Sequence, residues 1–225
     1  MEIKSIAIDG PSGAGKSTLA RMAADRFGLV YVDTGAIYRC VGLSALRNGI
    51  DSHDLDRVAA LLDGIRLEIR YNNDGVQHMF LNGEDVSGDI RTPQVSIYAS
   101  DVSAMPKVRA FLLDMQRDMA RRYDVVMDGR DIGTVVLPGA GLKVFLTADS
   151  EVRARRRLLE LQQKHVDTTF EEVLRDMKYR DENDAGRKDA PLRRADDAIL
   201  LDTTAPNLDE SFRLLCGIIE RQMKR

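Results

Sequence analysis

Between an apolar run at residues 3–8 and a helical pattern at 16–27 stand eight residues that constrain the fold more than any others. They read Gly10-Pro11-Ser12-Gly13-Ala14-Gly15-Lys16-Ser17. An apolar run, a glycine-rich turn and an amphipathic helix predict a strand–loop–helix unit. The spacing G-x-x-x-x-G-K-[ST] in that setting is a loop built to hold phosphates. Glycines let main-chain N–H groups turn inward, and the helix start adds unpaired N–H groups and a positive dipole end. Lys16 is placed to reach the outer phosphates of a nucleoside triphosphate. A hydroxyl next to it, Ser17 or Thr18, is placed to ligate Mg²⁺.

That unit sets the rhythm of the chain. A second strand at 29–32 closes a βαβ unit, which requires parallel pairing. Further short apolar runs at 125–128, 142–146 and 198–201 predict parallel strands. A last helix from 208 to about 223 carries Leu208, Phe212, Leu215 and Ile219 on one face. The expected fold is α/β: a doubly wound parallel sheet with ligands at the carboxyl ends of its strands. The middle breaks this rhythm. Leu67, Ile69 and Tyr71 alternate with charged residues, Asn72-Asn73-Asp74-Gly75 is a turn, and 77–81 returns as a strand. Local antiparallel pairing there predicts an insertion at 63–103, leaving 1–62 and 104–225 as the core. Pro106 then opens a helix with Val108, Phe111, Leu112, Met115 and Met119 on one face. Between 150 and 190, two strongly charged helices read as a lid.

A net charge of −3 and 5% aromatic residues with no tryptophan argue against a nucleic-acid partner. No apolar stretch is long enough to span a membrane. The N-terminal residues lack a basic region followed by an apolar one, and the two cysteines, Cys40 and Cys216, read as reduced thiols. The expectation is a cytoplasmic chain. His53, His78 and His165 are scattered, with no metal-ligand spacing.

Three segments carry arginines where a second anionic ligand would sit. Asp33-Thr34-Gly35-Ala36-Ile37-Tyr38-Arg39 leaves the second strand and enters a helix that Thr34 is placed to cap. Asp128-Gly129-Arg130-Asp131-Ile132-Gly133-Thr134 ends another strand; Arg130 suits bidentate phosphate binding, Asp131 suits an exocyclic amine or a sugar hydroxyl, and Asp128 stands where such folds place an acid near Mg²⁺. Arg180, Asp184 and Arg187 recur at i, i+4 and i+7 on one helical face. The Asn-Lys-x-Asp guanine-reading motif is absent.

In this order, and with Gly83-Glu84-Asp85-Val86-Ser87 and Ile90-Arg91 between them, these blocks resemble bacterial cytidylate kinases over nearly the whole chain. The resemblance implies a phosphate-loop kinase fold whose insertion, enlarged in that family, binds the nucleoside monophosphate. It implies ATP as donor and CMP or dCMP as acceptor, Mg²⁺ as cofactor, and a monomer. For ATP it implies Gly10, Pro11, Ser12, Gly13, Ala14, Gly15, Lys16, Ser17 and Thr18, with Arg153 and Arg157 favoured over Arg156 because they share a helix face. Thr34 and Arg39 would contact the monophosphate; the family often has Ser where Thr34 stands. Ser100, Arg109 and Asp131 would read the cytosine edge, Arg130 would hold the α-phosphate, Arg180 and Asp184 would bind ribose and phosphate, and Arg187 would complete the cluster. Lys16, Arg130, Asp131 and Arg187 are then the catalytic set and Ser17 the metal ligand. A kinase for another small substrate, an ATP-driven switch and a non-catalytic nucleotide sensor remain the alternatives.

Overall fold

The computed structural model describes residues 4–224. In chain order its elements are β1 (Ser5–Asp9), α1 (Lys16–Phe27), β2 (Val30–Asp33), α2 (Thr34–Arg47), α3 (Leu55–Leu61), β3 (Leu67–Tyr71), β4 (Gln77–Leu81), β5 (Glu84–Asp85), α4 (Pro93–Ser103), α5 (Pro106–Arg122), β6 (Val125–Gly129), β7 (Leu142–Thr147), α6 (Ser150–Gln163), α7 (Phe170–Gly186), β8 (Ile199–Asp202) and α8 (Leu208–Met223). Five strands form one parallel sheet in the order β2-β6-β1-β7-β8. A separate antiparallel sheet has the order β3-β4-β5. The predicted β1 begins at Ile3, which lies outside the described residues.

The parallel sheet is buried on both faces, and β1 shows how. Ile6 and Ile8 face a cluster with Leu19, Ala20, Ala23 and Ala24 of α1 and Leu215 and Ile219 of α8. Ala7 faces the opposite cluster, with Val32, Val125, Met127, Ile132 and Val136. Alternate residues of a strand point to opposite faces, so a strand covered on both sides has no polar positions to spare. Each fully buried Ile or Leu contributes about 1.5–3 kcal/mol. The face of α1 differs slightly from its apolar periodicity: alanines 20, 23 and 24 are buried, while Met22 and Phe27 are only half-buried. Small side chains let the helix sit close to the sheet.

The antiparallel sheet shares its core with α2, α3, α4 and α5, through Ile37, Val41, Val58, Met79, Leu81, Val95 and Leu112. It also covers the free edge of β2. Tyr71 OH donates to the Tyr31 carbonyl at 2.9 Å; Gln77 Oε1 accepts from Asp33 N at 2.8 Å, and its Nε2 donates to Asp33 O at 3.3 Å. Side chains there supply the hydrogen bonds a neighbouring strand would have made.

Helix α5 departs from the expected face. Phe111 is 40% exposed, whereas Arg109 and Gln116 are buried beside Val108 and Leu112. On α8, Leu208 is 50% exposed, and Ser211, Leu215, Ile218 and Ile219 are buried. Cys40 is buried, Cys216 is half-buried, and both are free thiols. The α6–α7 hairpin holds an apolar cluster of its own: Ala154, Leu161, Val173 and Met177, with Leu158 and Phe170 against them. Thr169 and Glu172 cap α7 reciprocally, as a T-x-x-E sequence should. Among the described residues, no helix is long and apolar enough to cross a membrane.

Candidate active site

The carboxyl ends of β1, β2 and β6 open into a cleft of about 690 Å³ that runs from the phosphate loop to α4 and α7. Residues Ser12 to Thr18 line one end; Gly10 and Pro11 do not line it. Gly10 has φ +150°, and a Cβ there would stand 2.1 Å from the Leu146 carbonyl oxygen, so only glycine can leave β1 beside β7. Lys16 folds back across the loop, its Nζ donating to Pro11 O at 2.7 Å. Burial, reinforced by the Arg130 charge, lowers its pKa to about 7. Incoming phosphate would reverse both effects.

Ser17 Oγ donates to Asp128 Oδ2 at 2.9 Å, and the buried Tyr31 hydroxyl donates to Asp128 Oδ1 at 2.8 Å. Burial and the nearby Asp33 charge raise the pKa of Asp128. Among the described residues, no group of three or more His, Cys, Asp or Glu could hold a metal alone. A hydroxyl and a carboxylate beside a phosphate loop nevertheless fit Mg²⁺. That ion prefers hard oxygens and takes most of them from water and nucleotide phosphates.

Asp33 organises the far end. It caps α2 by accepting from Ala36 N at 2.8 Å, a role the sequence suggested for Thr34. Thr34 Oγ1 instead donates to the Asp128 carbonyl at 2.7 Å, because the chain turns into α2 one residue earlier than the hydroxyl pattern suggests. Asp33 also pairs with Arg39 at 2.9 Å and with Arg91 at 2.8 Å. Burial alone would raise its pKa, but the Arg39 and Arg91 guanidiniums outweigh it and hold the carboxyl at about 2. Gly129 keeps this corner tight: a Cβ there would lie 2.7 Å from Thr34 Oγ1 and 2.6 Å from Ile132 Cδ1.

Arg130 and Asp131 follow directly. Asp9, at the end of β1, accepts from Ile132 N and Gly133 N, each at 2.7 Å, which fixes the chain just beyond Asp131. Burial pushes the Asp9 carboxyl up to about 6 against those two donors. Arg130 Nε pairs with Asp184 Oδ2 at 2.7 Å. Arg187 bonds the other oxygen of Asp184 and donates to Ser103 Oγ at 2.6 Å. Ser100 Oγ donates to Asp184 at 3.3 Å and accepts from Asn183 at 3.0 Å. Arg109 is buried behind Asp131 and ion-paired with it; Asp131 itself reaches the cleft. Burial raises the pKa of Asp131 despite Arg109 and Arg187. Arg180 lines the cleft, and its buried Nε has no hydrogen-bond partner among the described residues. Burial and the neighbouring Arg130 lower its pKa to about 10.

The structure therefore brings Lys16, Ser17, Thr34, Arg39, Ser100, Arg130, Asp131, Arg180, Asp184 and Arg187 into one cleft. Arg153 lies outside it. That side chain is buried and ties Ser12 O to Asp181, at 2.8 and 2.6 Å, joining the phosphate loop to α7. Arg156 and Arg157 line the cleft; Arg156 is held by the Thr203 carbonyl at 2.5 Å, and Arg157 pairs with Glu160 at 3.0 Å. Asp9 and Tyr31 support the site from outside every quoted motif, and Asp33 and Arg91 stand within the quoted blocks without an assigned role. Asp9 and Asp33 end strands, and strand ends are the signal that finds them. His53, His78 and His165 do not line the cleft.

The chain is similar throughout to a group of curated proteins. A cytidylate kinase from Caldicellulosiruptor bescii is 48% identical over 219 residues, covering 97% of this chain and 96% of that one. A cytidylate kinase from Clostridium botulinum (strain Langeland) is 44% identical, covering 96% of this chain and 98% of the relative. Among solved structures, an uncharacterised protein from Eubacterium ventriosum superposes with a TM-score of 0.50 at 14% identity, covering 97% of this chain and 99% of that one, a likeness of fold alone. The family profile for cytidylate kinase matches residues 6–221, the span that carries the phosphate loop, both arginine-bearing strand ends and α7, and the chain belongs to that family.

Proposed function

We propose that this chain transfers the γ-phosphoryl group of ATP to CMP or dCMP, giving ADP and CDP or dCDP. One observation carries the reading: a single cleft joins a phosphate loop to a second end lined by Arg39, Arg130, Arg180 and Arg187 together with the buried carboxylate of Asp131. A triphosphate fills the first end. The second end asks for a phosphate and a base that presents an amine. Asp131 would accept from the cytosine N4 amine; uracil offers a carbonyl there, so a polar site of this kind rejects it. Residues 63–103 would form the acceptor-binding subdomain, and 150–190 the lid.

In the reaction the bond from the γ-phosphorus to the β–γ bridging oxygen breaks, and a bond forms to a phosphate oxygen of the acceptor. The electron pair leaves with ADP. The attacking oxygen is already anionic, so no general base is needed, in keeping with a cleft that histidines do not line. Lys16 would neutralise the outer phosphates. Arg39, Arg130 and Arg187 would hold the acceptor phosphate in line, exchanging their carboxylate partners Asp33 and Asp184 for it. Ser17 and Asp128 would hold Mg²⁺, which when bound supplies charge neutralisation across the donor phosphates. Alignment and charge carry such a transfer. A charge-assisted hydrogen bond contributes about 1.5–3 kcal/mol, so loss of one of these arginines should cost on the order of 10- to 150-fold in rate. α6 and α7 would close over both nucleotides and limit hydrolysis.

The test is ADP release at constant ATP with CMP, dCMP, UMP, AMP and shikimate compared. CMP and dCMP should give the highest kcat/KM. A rate at background with both would overturn the reading.

A further inference from the structure

Asp101 stands outside the cleft, one residue beyond Ser100 on α4, and is 5% exposed. Its carboxylate is held by two hydroxyls from distant parts of the chain. Ser52 Oγ donates to Oδ2 at 2.6 Å, and Tyr179 OH donates to Oδ1 at 2.7 Å. His53 Nε2 lies 3.3 Å from the Tyr179 hydroxyl and 3.8 Å from Oδ1, but its ring is largely exposed. A buried carboxylate is costly unless hydrogen-bonded, so these two bonds hold the three segments together.

The three segments are the loop before α3, α4 and α7. Tyr179 immediately precedes Arg180, and Asp101 immediately follows Ser100. The pair therefore sits directly behind two cleft residues while touching neither end of the nucleotide site. The α6–α7 hairpin packs its apolar side chains into its own cluster. Its links to α4 include hydrogen bonds from Tyr179 to Asp101, Asn183 to Ser100, Ser100 to Asp184 and, at its end, Arg187 to Ser103. Hydrogen bonds of this kind are worth little net energy each and can break without exposing a core.

We propose that Asp101 and Tyr179 form a latch that positions α7 over the acceptor half of the cleft. Breaking it loosens the hold on Arg180 and Asp184 together, since both ride on the same helix, which then rests on the Arg130–Asp184 and Arg153–Asp181 pairs and the Ser100 bonds. Its kinetic consequence rests on the acceptor reading above; its conformational consequence does not. If only the latched form binds acceptor well, apparent affinity scales with the latched fraction.

The test compares the wild-type sequence with Tyr179→Phe, in a Cys216→Ser background carrying spin labels at Leu55→Cys and Leu159→Cys. Those two leucines are 62% and 59% exposed. In the ligand-free protein, Tyr179→Phe should broaden and lengthen the distance distribution. It should also raise KM for CMP about fivefold, the scale of one net hydrogen bond, with kcat at saturating CMP nearly unchanged. Asp101→Asn alone, which keeps an oxygen to accept from Tyr179, should retain wild-type behaviour. A distance distribution identical to wild type in Tyr179→Phe overturns the latch. Absence of CMP turnover in the wild type would sink the acceptor reading instead, and the distance measurement would still decide the latch.

Discussion

Two side chains carry the chemistry most directly, and each has a measurable signature. Asp131 is buried, faces the cleft and is backed by Arg109. Asp131→Ala should raise KM for CMP by at least tenfold while changing KM for ATP by less than twofold, because the lost acceptor faces the base and not the phosphate loop. Equal losses in both, measured by steady-state kinetics, would remove Asp131 from the acceptor site. Lys16 is the second. With its pKa near 7 in the free protein, it is mostly neutral at pH 8. A bound triphosphate favours the charged form, so binding of MgATP should take up about one proton at pH 8 and close to none at pH 6. Calorimetry in buffers of different ionisation enthalpy reads this directly; equal uptake at the two pH values would contradict it.

At the scale of elements, Asp33 shows how one carboxylate couples β2, α2 and the segment before α4. It caps α2 and pairs with both Arg39 and Arg91. Its folded pKa is held below the ordinary carboxylate value, so its stabilisation is complete above about pH 4 and is lost as pH falls through about 2. Asp33→Asn keeps the cap but loses the charge. It should cost on the order of 1–2 kcal/mol at pH 7, discounted for the partial exposure of Arg91, and the gap to wild type should close toward pH 2 in thermal melts. A gap independent of pH would mean the ion pairs contribute nothing. The elements themselves were largely legible. β2, β6 and β7 fall within a residue of their apolar runs, because strands covered on both faces are continuously apolar. The helix faces were less so. Apolar periodicity puts Phe111 inside on α5, and the structure leaves it 40% exposed; Arg109 is buried, because Asp131, distant in sequence, gives it a partner. Thr34 as a cap was misread for a related reason. Its hydroxyl is drawn to a carbonyl on β6, and no local pattern encodes that neighbour.

Across the whole molecule, what the motifs named and what they missed divide by distance in sequence. The phosphate loop, Arg130-Asp131 and the Arg180–Arg187 run are local spellings of one cleft. Asp9 behind Asp131 and Tyr31 behind Asp128 are supports contributed from far along the chain, and Arg153, expected at ATP, is a support behind Ser12 instead. The antiparallel sheet is joined to β2 by Tyr71 and Gln77, side chains whose partners only the assembled fold brings near. The carboxylates of Asp33 and Asp184 pair with arginines that the proposed function assigns to the acceptor phosphate. The account's central claim is that both ends of this cleft take nucleotides and that phosphate passes between them. Phosphorus NMR of the protein with MgATP and CMP tests it most directly. The expected result is growth of CDP resonances in step with those of ADP and loss of the ATP γ signal; orthophosphate rising alone, with no CDP, would contradict it.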